Sequence, residues 1–143
     1  MNIVRRFLMI TLIFFLLIGA WSAYRAWVQV RSVEVRLLTP NLREGASAIV
    51  RVVTSGRGLV TTRLELVQGN RAELIAQMLI AGNRNGFFDP RFREGIMTPS
   101  LTKEFLARFQ PGAAILRATA TGRPQWTRLP PPTVQELAVS VAP

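Results

Sequence analysis

An uninterrupted apolar run near the amino terminus constrains this chain more than any other feature. Residues 7–24 (FLMITLIFFLLIGAWSAY) are 18 consecutive uncharged side chains, most of them large and apolar, and they directly follow Arg5 and Arg6. Because an α-helix rises about 1.5 Å per residue, the run reaches roughly 27 Å, close to the thickness of the hydrocarbon layer of a bilayer. The sequence therefore predicts a membrane-spanning helix over residues 7–28, preceded by a basic tail of residues 1–6.

A cleaved secretory signal is the alternative interpretation of this segment. The apolar core of a signal is about 7–15 residues long and ends at a small-x-small cleavage site. Cleavage after Ser22, with Ala20 upstream, is the one acceptable position, whereas cleavage after Ala23 places the bulky Trp21 three positions before the cut. The length of the run favours an uncleaved anchor, and the cleaved signal remains open.

Aromatic and arginine side chains flank the apolar run. Three aromatic residues recur at every third position and therefore share one helix face, as in the aromatic belts found at membrane interfaces. Arginine can extend its guanidinium group to the same headgroup level. The predicted membrane-interface residues are Arg5, Arg6, Trp21, Tyr24, Arg25 and Trp27.

The basic residues on the two sides of the span give opposing indications of its orientation. Those before it favour a cytoplasmic amino terminus by the positive-inside rule, but Arg25, Arg31 and Arg36 follow the span just as closely. A long domain translocates despite such charges. The favoured topology is a single-pass protein of a bacterial inner membrane with its domain outside the cytoplasm, and a domain on the cytoplasmic face is the alternative.

The chain after the span has the composition of one globular domain. Residues 29–31 are interpreted as a linker and residues 32–143 as a domain, which is long enough to bury a single core. The chain contains no Cys and no His. This absence excludes disulfides, zinc fingers, cysteine nucleophiles and histidine general bases.

The domain is basic. From residue 29 onward there are 15 basic and 8 acidic residues, a balance of +7. Such a balance attracts anionic lipid headgroups, nucleic acid or an acidic partner. The arginines are dispersed, however, and no RNP-like motif, zinc finger or dense basic helix accompanies them. We therefore do not expect nucleic-acid binding.

Alternating apolar and polar residues predict a succession of short strands. One segment, residues 72–80, also fits an amphipathic helix, but its position after a tight turn favours a strand. Residues 83–95 are expected to form an irregular loop, and residues 102–109 a helical turn. The predicted strands are 32–38, 46–54, 60–66, 72–80, 113–121 and 133–141.

Two segments carry a resemblance to known domains. LTKEFLARFQPGAAILRATA (residues 101–120) resembles the corner before the penultimate strand of immunoglobulin-like and fibronectin type III-like domains, and TVQELAVSV (133–141) resembles their closing strand. The resemblance implies an all-β fold, an Ig-like antiparallel β-sandwich over residues 32–143 preceded by one transmembrane α-helix. The disulfide, core tryptophan and corner tyrosine of such domains are missing. The resemblance also implies that the domain is a binding or spacer module.

No arrangement of residues points to catalysis. The eight acidic residues are scattered without a close acidic pair. The nucleophile elbow, the P-loop and the dinucleotide fingerprint are absent. We therefore expect no enzymatic activity, no metal site, no bound cofactor and no small-molecule substrate.

The most unusual local composition is an aromatic and charged segment between the fourth and fifth predicted strands. Aromatic and arginine side chains on a loop are typical anchors of protein–protein contacts. Phenylalanine rings can also close the end of a sandwich core, and that alternative stays open. The candidate partner-binding residues are Phe87, Phe88, Asp89, Arg91, Phe92 and Trp126.

Together these features predict a non-catalytic, single-pass membrane protein whose Ig-like domain contacts other proteins. Its expected role is that of an accessory or stabilising subunit of a larger membrane complex. The alternative is an independent envelope-binding domain that recognises an anionic polymer or a lipid surface through its arginines.

Overall fold

A computed structural model of the chain describes residues 2–27, 30–39, 41–54, 59–81, 93–122 and 131–143, and it describes the backbone alone for residues 23–27 and 31. An α-helix is followed by strands, with one short helix between the fifth and sixth. The elements are α1 (Asn2–Trp27), β1 (Val30–Leu37), β2 (Ala48–Thr54), β3 (Leu59–Gln68), β4 (Arg71–Ala81), β5 (Arg93–Met97), α2 (Lys103–Leu106), β6 (Gly112–Gly122) and β7 (Thr133–Val141).

The strands form two sheets, in the orders β1-β2-β5 and β4-β3-β6-β7. Within each sheet, every pair of neighbouring strands is antiparallel. Buried side chains from both sheets form one apolar cluster, so the sheets face each other across a common core. The prediction of a mostly β, antiparallel two-sheet domain after an apolar helix is confirmed.

Strand β3 shows how the alternating pattern builds the core. Val60, Leu64 and Leu66 are buried, whereas Arg63 between them is exposed, because successive side chains of a strand point to opposite faces. Burying a leucine fully contributes about 1.5–3 kcal/mol. Strand β2 has the central position that its apolar residues predict, since it pairs with β1 on one side and with β5 on the other.

Strand β4 confirms the strand interpretation of residues 72–80 and explains the helical alternative. Its pairing with β3 shifts register at one point. Leu64 of β3 lies opposite Ala76, and the next residue of β3, Glu65, lies opposite Leu74, so Ile75 of β4 has no partner on β3. Ile75 is thus an extra residue, as in a β-bulge. The bulge breaks the alternation of apolar residues, and the interrupted pattern resembles that of an amphipathic helix.

Strand β5 corrects the prediction of an irregular loop over residues 83–95. Arg93, Glu94 and Gly95 belong to a strand that pairs with β2. Charged residues and glycine have weak strand propensity, so sequence alone does not identify it. Its glycine permits a close approach: a Cβ at Gly95 would lie 2.8 Å from Cγ1 of Ile80 on β4. Tertiary packing, more than local sequence, therefore determines that this segment is a strand.

Two helix and strand boundaries differ from the expected ones. Helix α1 begins at Asn2, within the segment interpreted as a tail. Strand β1 begins at Val30, within the segment interpreted as a linker. Neither segment contains proline or glycine to stop the adjoining element.

The strand registers define two ends of the sandwich. One end, called the anchor-side end, contains the strand termini Val30, Thr54, Leu59, Ala81, Arg93 and Gly122, which pair with one another within their sheets. Three peptide units join Trp27 of α1 to Val30, so their Cα atoms lie within about 11 Å. At the opposite end, called the far end, a bridge between Leu42 and Val141 ties the two sheets together.

Candidate functional site

Helix α1 exposes large apolar side chains from Ile3 to Trp21. The segment Asn2–Ser22 is 21 residues long, has a mean hydropathy of 2.2 and contributes no residue to the buried core. Phe7, Phe14 and Leu17 are each at least 60% exposed. A 21-residue helix is about 31 Å long, which matches the hydrocarbon layer of a bilayer. By length and composition the helix can cross a membrane.

The apolar surface of α1 surrounds the helix. Four consecutive residues, Phe7, Leu8, Met9 and Ile10, are each more than half exposed, and successive helix residues lie about 100° apart around the axis. A helix that lies flat on a membrane needs one polar face, and residues 7–20 of α1 have no such face. Its one mid-span hydroxyl is satisfied within the helix, since Thr11 Oγ1 donates to the carbonyl oxygen of Phe7 at 2.9 Å.

The predicted interface residues lie toward the two ends of this helix. Arg5 and Arg6 are exposed in its first turns, and Trp21 is 56% exposed near the end of the apolar segment. About 22 Å of helix separates Arg6 from Trp21. Tyr24, Arg25 and Trp27 lie on the last turns, where the backbone alone is described.

The candidate partner-binding residues Phe87, Phe88, Asp89, Arg91, Phe92 and Trp126 lie outside the described residues. The nearest described residues on either side of the first five are Ala81 and Arg93, and Gly122 precedes the sixth. These three residues belong to the anchor-side end. The assignment of the aromatic segment to partner binding stays a prediction.

A charged cluster at the far end joins β4 to the turn after α2. Glu73 Oε2 lies 3.1 Å from Arg108 Nη1, and Glu73 Oε1 lies 2.7 Å from Arg71 Nη2. The hydrogen bond from Arg108 is the main cause that lowers the pKa of Glu73, and a hydrogen bond from Arg71 acts in the same direction. The Arg71 guanidinium also lies 5.6 Å from the ring centroid of Phe109. Sequence analysis did not identify this cluster, since its residues are 35 positions apart.

The same corner is held by a second polar contact. Gln68 Nε2 donates to the carbonyl oxygen of Gln110 at 2.8 Å, and the Gln110 backbone N–H donates to Gln68 Oε1 at 3.0 Å. Thr102 caps α2 by accepting a hydrogen bond from the Phe105 backbone N–H. These contacts fix the corner between α2 and β6.

Much of the positive charge of the domain is paired. In the part of the chain that the structure describes, six arginines of the sandwich lie within salt-bridge distance of a glutamate: Arg36, Arg51, Arg63, Arg71, Arg108 and Arg117. Arg51 and Glu94 join β2 to β5, and this hydrogen bond raises the pKa of Arg51. The paired arginines are spread over the outer faces of both sheets and do not form a concentrated basic patch.

A shallow cleft of about 340 Å³ lies at the far end. Arg43, Glu44 and Lys103 line it together with the apolar Leu106 and Val141. The cleft mixes both signs of charge with a small apolar floor, so its lining does not select one class of ligand.

The described residues show no cluster of metal-binding side chains. Over these ranges no group of three or more acidic residues is close enough to hold a metal ion. Ser100 and Lys103 have the S-x-x-K spacing of some serine hydrolases. Ser100 pairs with Ser47 in a β-bridge, whereas Lys103 is the first residue of α2, so the two residues lie on different elements.

No protein-family model matches the chain, and no curated protein shows significant similarity to it.

Proposed function

We propose that this chain is a non-catalytic, single-pass membrane protein whose β-sandwich contacts other proteins, as an accessory or stabilising subunit of a larger membrane complex. The observation that carries the proposal is the exposed apolar surface on all sides of α1, joined by two residues to a folded β domain. Such a surface is stable in lipid and unfavourable in water. The chain thus holds a small β domain at a membrane surface.

The strand order supports an immunoglobulin-like domain. In that fold, strands one, two and five pair in one sheet, and strands three, six and seven pair in the other. Both sets of pairings occur here, and β4 joins the second sheet beside β3. A fourth strand in this position resembles fibronectin type III domains. Domains of this architecture host many functions and are widespread as binding and spacer modules at cell surfaces.

The proposed location is the inner membrane, with the amino terminus in the cytoplasm and the sandwich outside it. Arg5 and Arg6 support this orientation by the positive-inside rule. The test is protease treatment of intact and of permeabilised spheroplasts that carry a carboxyl-terminal tag. A tag digested in intact spheroplasts agrees with the proposal, whereas digestion only after permeabilisation places the sandwich on the cytoplasmic face.

The accessory role is tested by the size of the native assembly. The full chain with a carboxyl-terminal tag is extracted in mild detergent, separated by native electrophoresis and analysed for proteins that co-purify. We expect migration well above the size of one micelle-bound chain, with the same partner proteins at constant ratio. Migration solely as a free small species contradicts the role.

Binding of an anionic surface is the second candidate function, and the balance of +7 between the 15 basic and 8 acidic residues from residue 29 onward favours it. Association through exposed arginines weakens with salt, because charges more than about 10 Å apart are screened at 0.1 M ionic strength. A vesicle assay with phosphatidylglycerol distinguishes the candidates if α1 is first embedded in nanodiscs of neutral lipid. Salt-sensitive capture of these nanodiscs by the vesicles supports surface binding, and absence of capture removes it.

A further inference from the structure

The outer edge of β4 has no strand partner among the described strands, and the bulge at Ile75 interrupts it once. Among the described strands, β4 pairs with β3 alone, so every second N–H and C=O group on its other side lacks a strand partner. Its last eight residues, 74–81 (LIAQMLIA), contain no charge and no proline. They span about 26 Å, and Leu74 and Leu79 are 43% and 57% exposed beside the edge.

The other three sheet edges carry the features by which proteins prevent edge-to-edge pairing. Strand β1 has Glu34 and Arg36 on its exposed face. Strand β5 is only five residues long and begins with Arg93 and Glu94. Strand β7 is partly covered, since the Leu42 backbone N–H donates to the Ser140 carbonyl oxygen at 2.8 Å. Beyond its bulge, β4 lacks these features over residues 76–81.

We propose that residues 74–81 of β4 form the docking edge of this subunit and receive an extended, uncharged strand of a partner protein by β-strand addition. The inference rests on the proposed accessory function and names the surface that carries it. Backbone hydrogen bonds to the open edge supply affinity, and the side chains of Leu74 and Leu79 contact the added strand. A charged strand is disfavoured because its side chains would be desolvated beside these leucines.

The anchor makes a second copy of this chain a poor occupant of the same edge. Two copies that share a sheet edge by two-fold symmetry pair their β4 strands antiparallel. In that arrangement the anchor-side end of one copy lies beside the far end of the other, because β4 runs from Arg71 at the far end to Ala81 at the anchor-side end. If both sandwiches stand with their strands along the membrane normal, two anchors in one membrane exclude this arrangement, and β4-to-β4 crosslinks test that geometry.

The binding test uses the full chain in detergent and a defined peptide. The probe is a peptide of alternating valine and threonine with one lysine at each end, and amide hydrogen exchange is followed by mass spectrometry. At a peptide concentration ten times its Kd, we expect alternate amides of residues 74–81 to exchange about tenfold more slowly. A peptide in which proline replaces each threonine cannot complete the hydrogen bonds and is expected to leave exchange unchanged.

Two variants test whether the same edge holds the native complex. Leu79→Lys places a charge beside the β4 edge, and Val134→Lys is its matched control, since Val134 is 47% exposed on β7 at the opposite side of the same sheet. We expect Leu79→Lys to remove the peptide protection and to shift the tagged chain from the large native species to the small one. Val134→Lys is expected to change neither.

Several outcomes overturn the proposal. In two of these outcomes, the peptide leaves the amides of residues 74–81 unprotected or protects β7 equally. In two others, the amides of β4 are already protected in the isolated chain by its own residues, or crosslinks join β4 of one copy to β4 of another. Retention of the large species by Leu79→Lys also overturns it while leaving the accessory function intact. If the peptide protects β4 but the wild type forms no large native complex, the accessory function is contradicted and the open edge is not.

Discussion

The carboxylate of Glu73 accepts a hydrogen bond from the Arg108 guanidinium at 3.1 Å, which joins the start of β4 to the turn that precedes β6. The Glu73 side chain is 20% exposed, so this ion pair is partly shielded from water. Arg71 donates to the other carboxylate oxygen and also to the Arg108 carbonyl oxygen. The far end of the sandwich therefore has a charged tie between its second sheet and the corner.

Glu73→Gln is expected to lower the melting temperature at neutral pH. The pKa of Glu73 is lowered in the folded chain, so its contribution to the free energy of unfolding is complete above the unfolded pKa of about 4.3 and is lost as pH falls through the folded value. The difference between wild type and variant should therefore shrink in acid. Thermal unfolding by circular dichroism over this pH range measures it.

Glu136→Gln is the control for that experiment, because it removes an exposed ion pair with Arg117 on the outer face of the sheet. Exposed pairs contribute little to stability, so we expect a smaller change at neutral pH. A constant difference between wild type and Glu73→Gln at every pH would contradict the proposed tie.

Thr62→Val is expected to stabilise the chain by about 1 kcal/mol. Thr62 is fully buried, and among the described residues its Oγ1 has no hydrogen-bond partner. Valine keeps the shape and removes the desolvated hydroxyl. Thr54→Val is the matched control, since the buried Thr54 Oγ1 donates to the Arg93 carbonyl oxygen at 3.3 Å. Urea unfolding should show opposite signs for the two variants, and equal destabilisation would reveal a partner for Thr62.

Sequence patterning predicted those strands whose side chains alternate regularly. In β3 the buried Val60, Leu64 and Leu66 occupy every second or fourth position, so the inward face is visible without a structure. In β4 the extra residue Ile75 interrupts the alternation, and only the register with β3 resolves it. In β5 the deciding factor is the missing side chain of Gly95 against Ile80, a contact between residues far apart in sequence.

The functional surfaces were less accessible to sequence reasoning. The anchor could be predicted because its signal is local and continuous. The open edge of β4 could not, since an edge exists only once strand order is known and β4 could equally have been central. The Glu73–Arg108 tie likewise depends on the corner folding back onto β4. Phe87 and Trp126 lie outside the described residues, and their role in partner binding stays a prediction from composition.

Gly95→Ala is expected to destabilise the chain by about 1–3 kcal/mol. An added Cβ would meet Ile80 of β4 and would lie 3.1 Å from Cε of Met78. Ile80→Val removes the Cδ1 atom of Ile80, so the cost of Gly95→Ala should be smaller in that background. Gly69→Ala is the control, because Gly69 has open space but a φ of +59°. Its cost, from backbone strain, should be independent of Ile80, and urea unfolding of the three single variants and of the two double variants with Ile80→Val tests this.

Leu12→Arg is expected to prevent stable membrane integration of the chain. Leu12 lies midway along the apolar segment Asn2–Ser22 and is 62% exposed. An arginine at the centre of a spanning helix costs about 2.5–3.5 kcal/mol on insertion, whereas arginine near the end extends to the headgroups. Ser22→Arg is therefore the matched control and should behave as wild type.

Alkaline carbonate extraction of membranes measures this integration. The wild type and Ser22→Arg should stay in the pellet, and Leu12→Arg should move largely to the supernatant. Intact-mass analysis of the wild type separates an anchor from a signal, because cleavage after Ser22 would shorten the mature chain by 22 residues. A soluble, shortened wild type would overturn the anchor, since α1 would then serve export alone and the sandwich would have no fixed distance from the lipid.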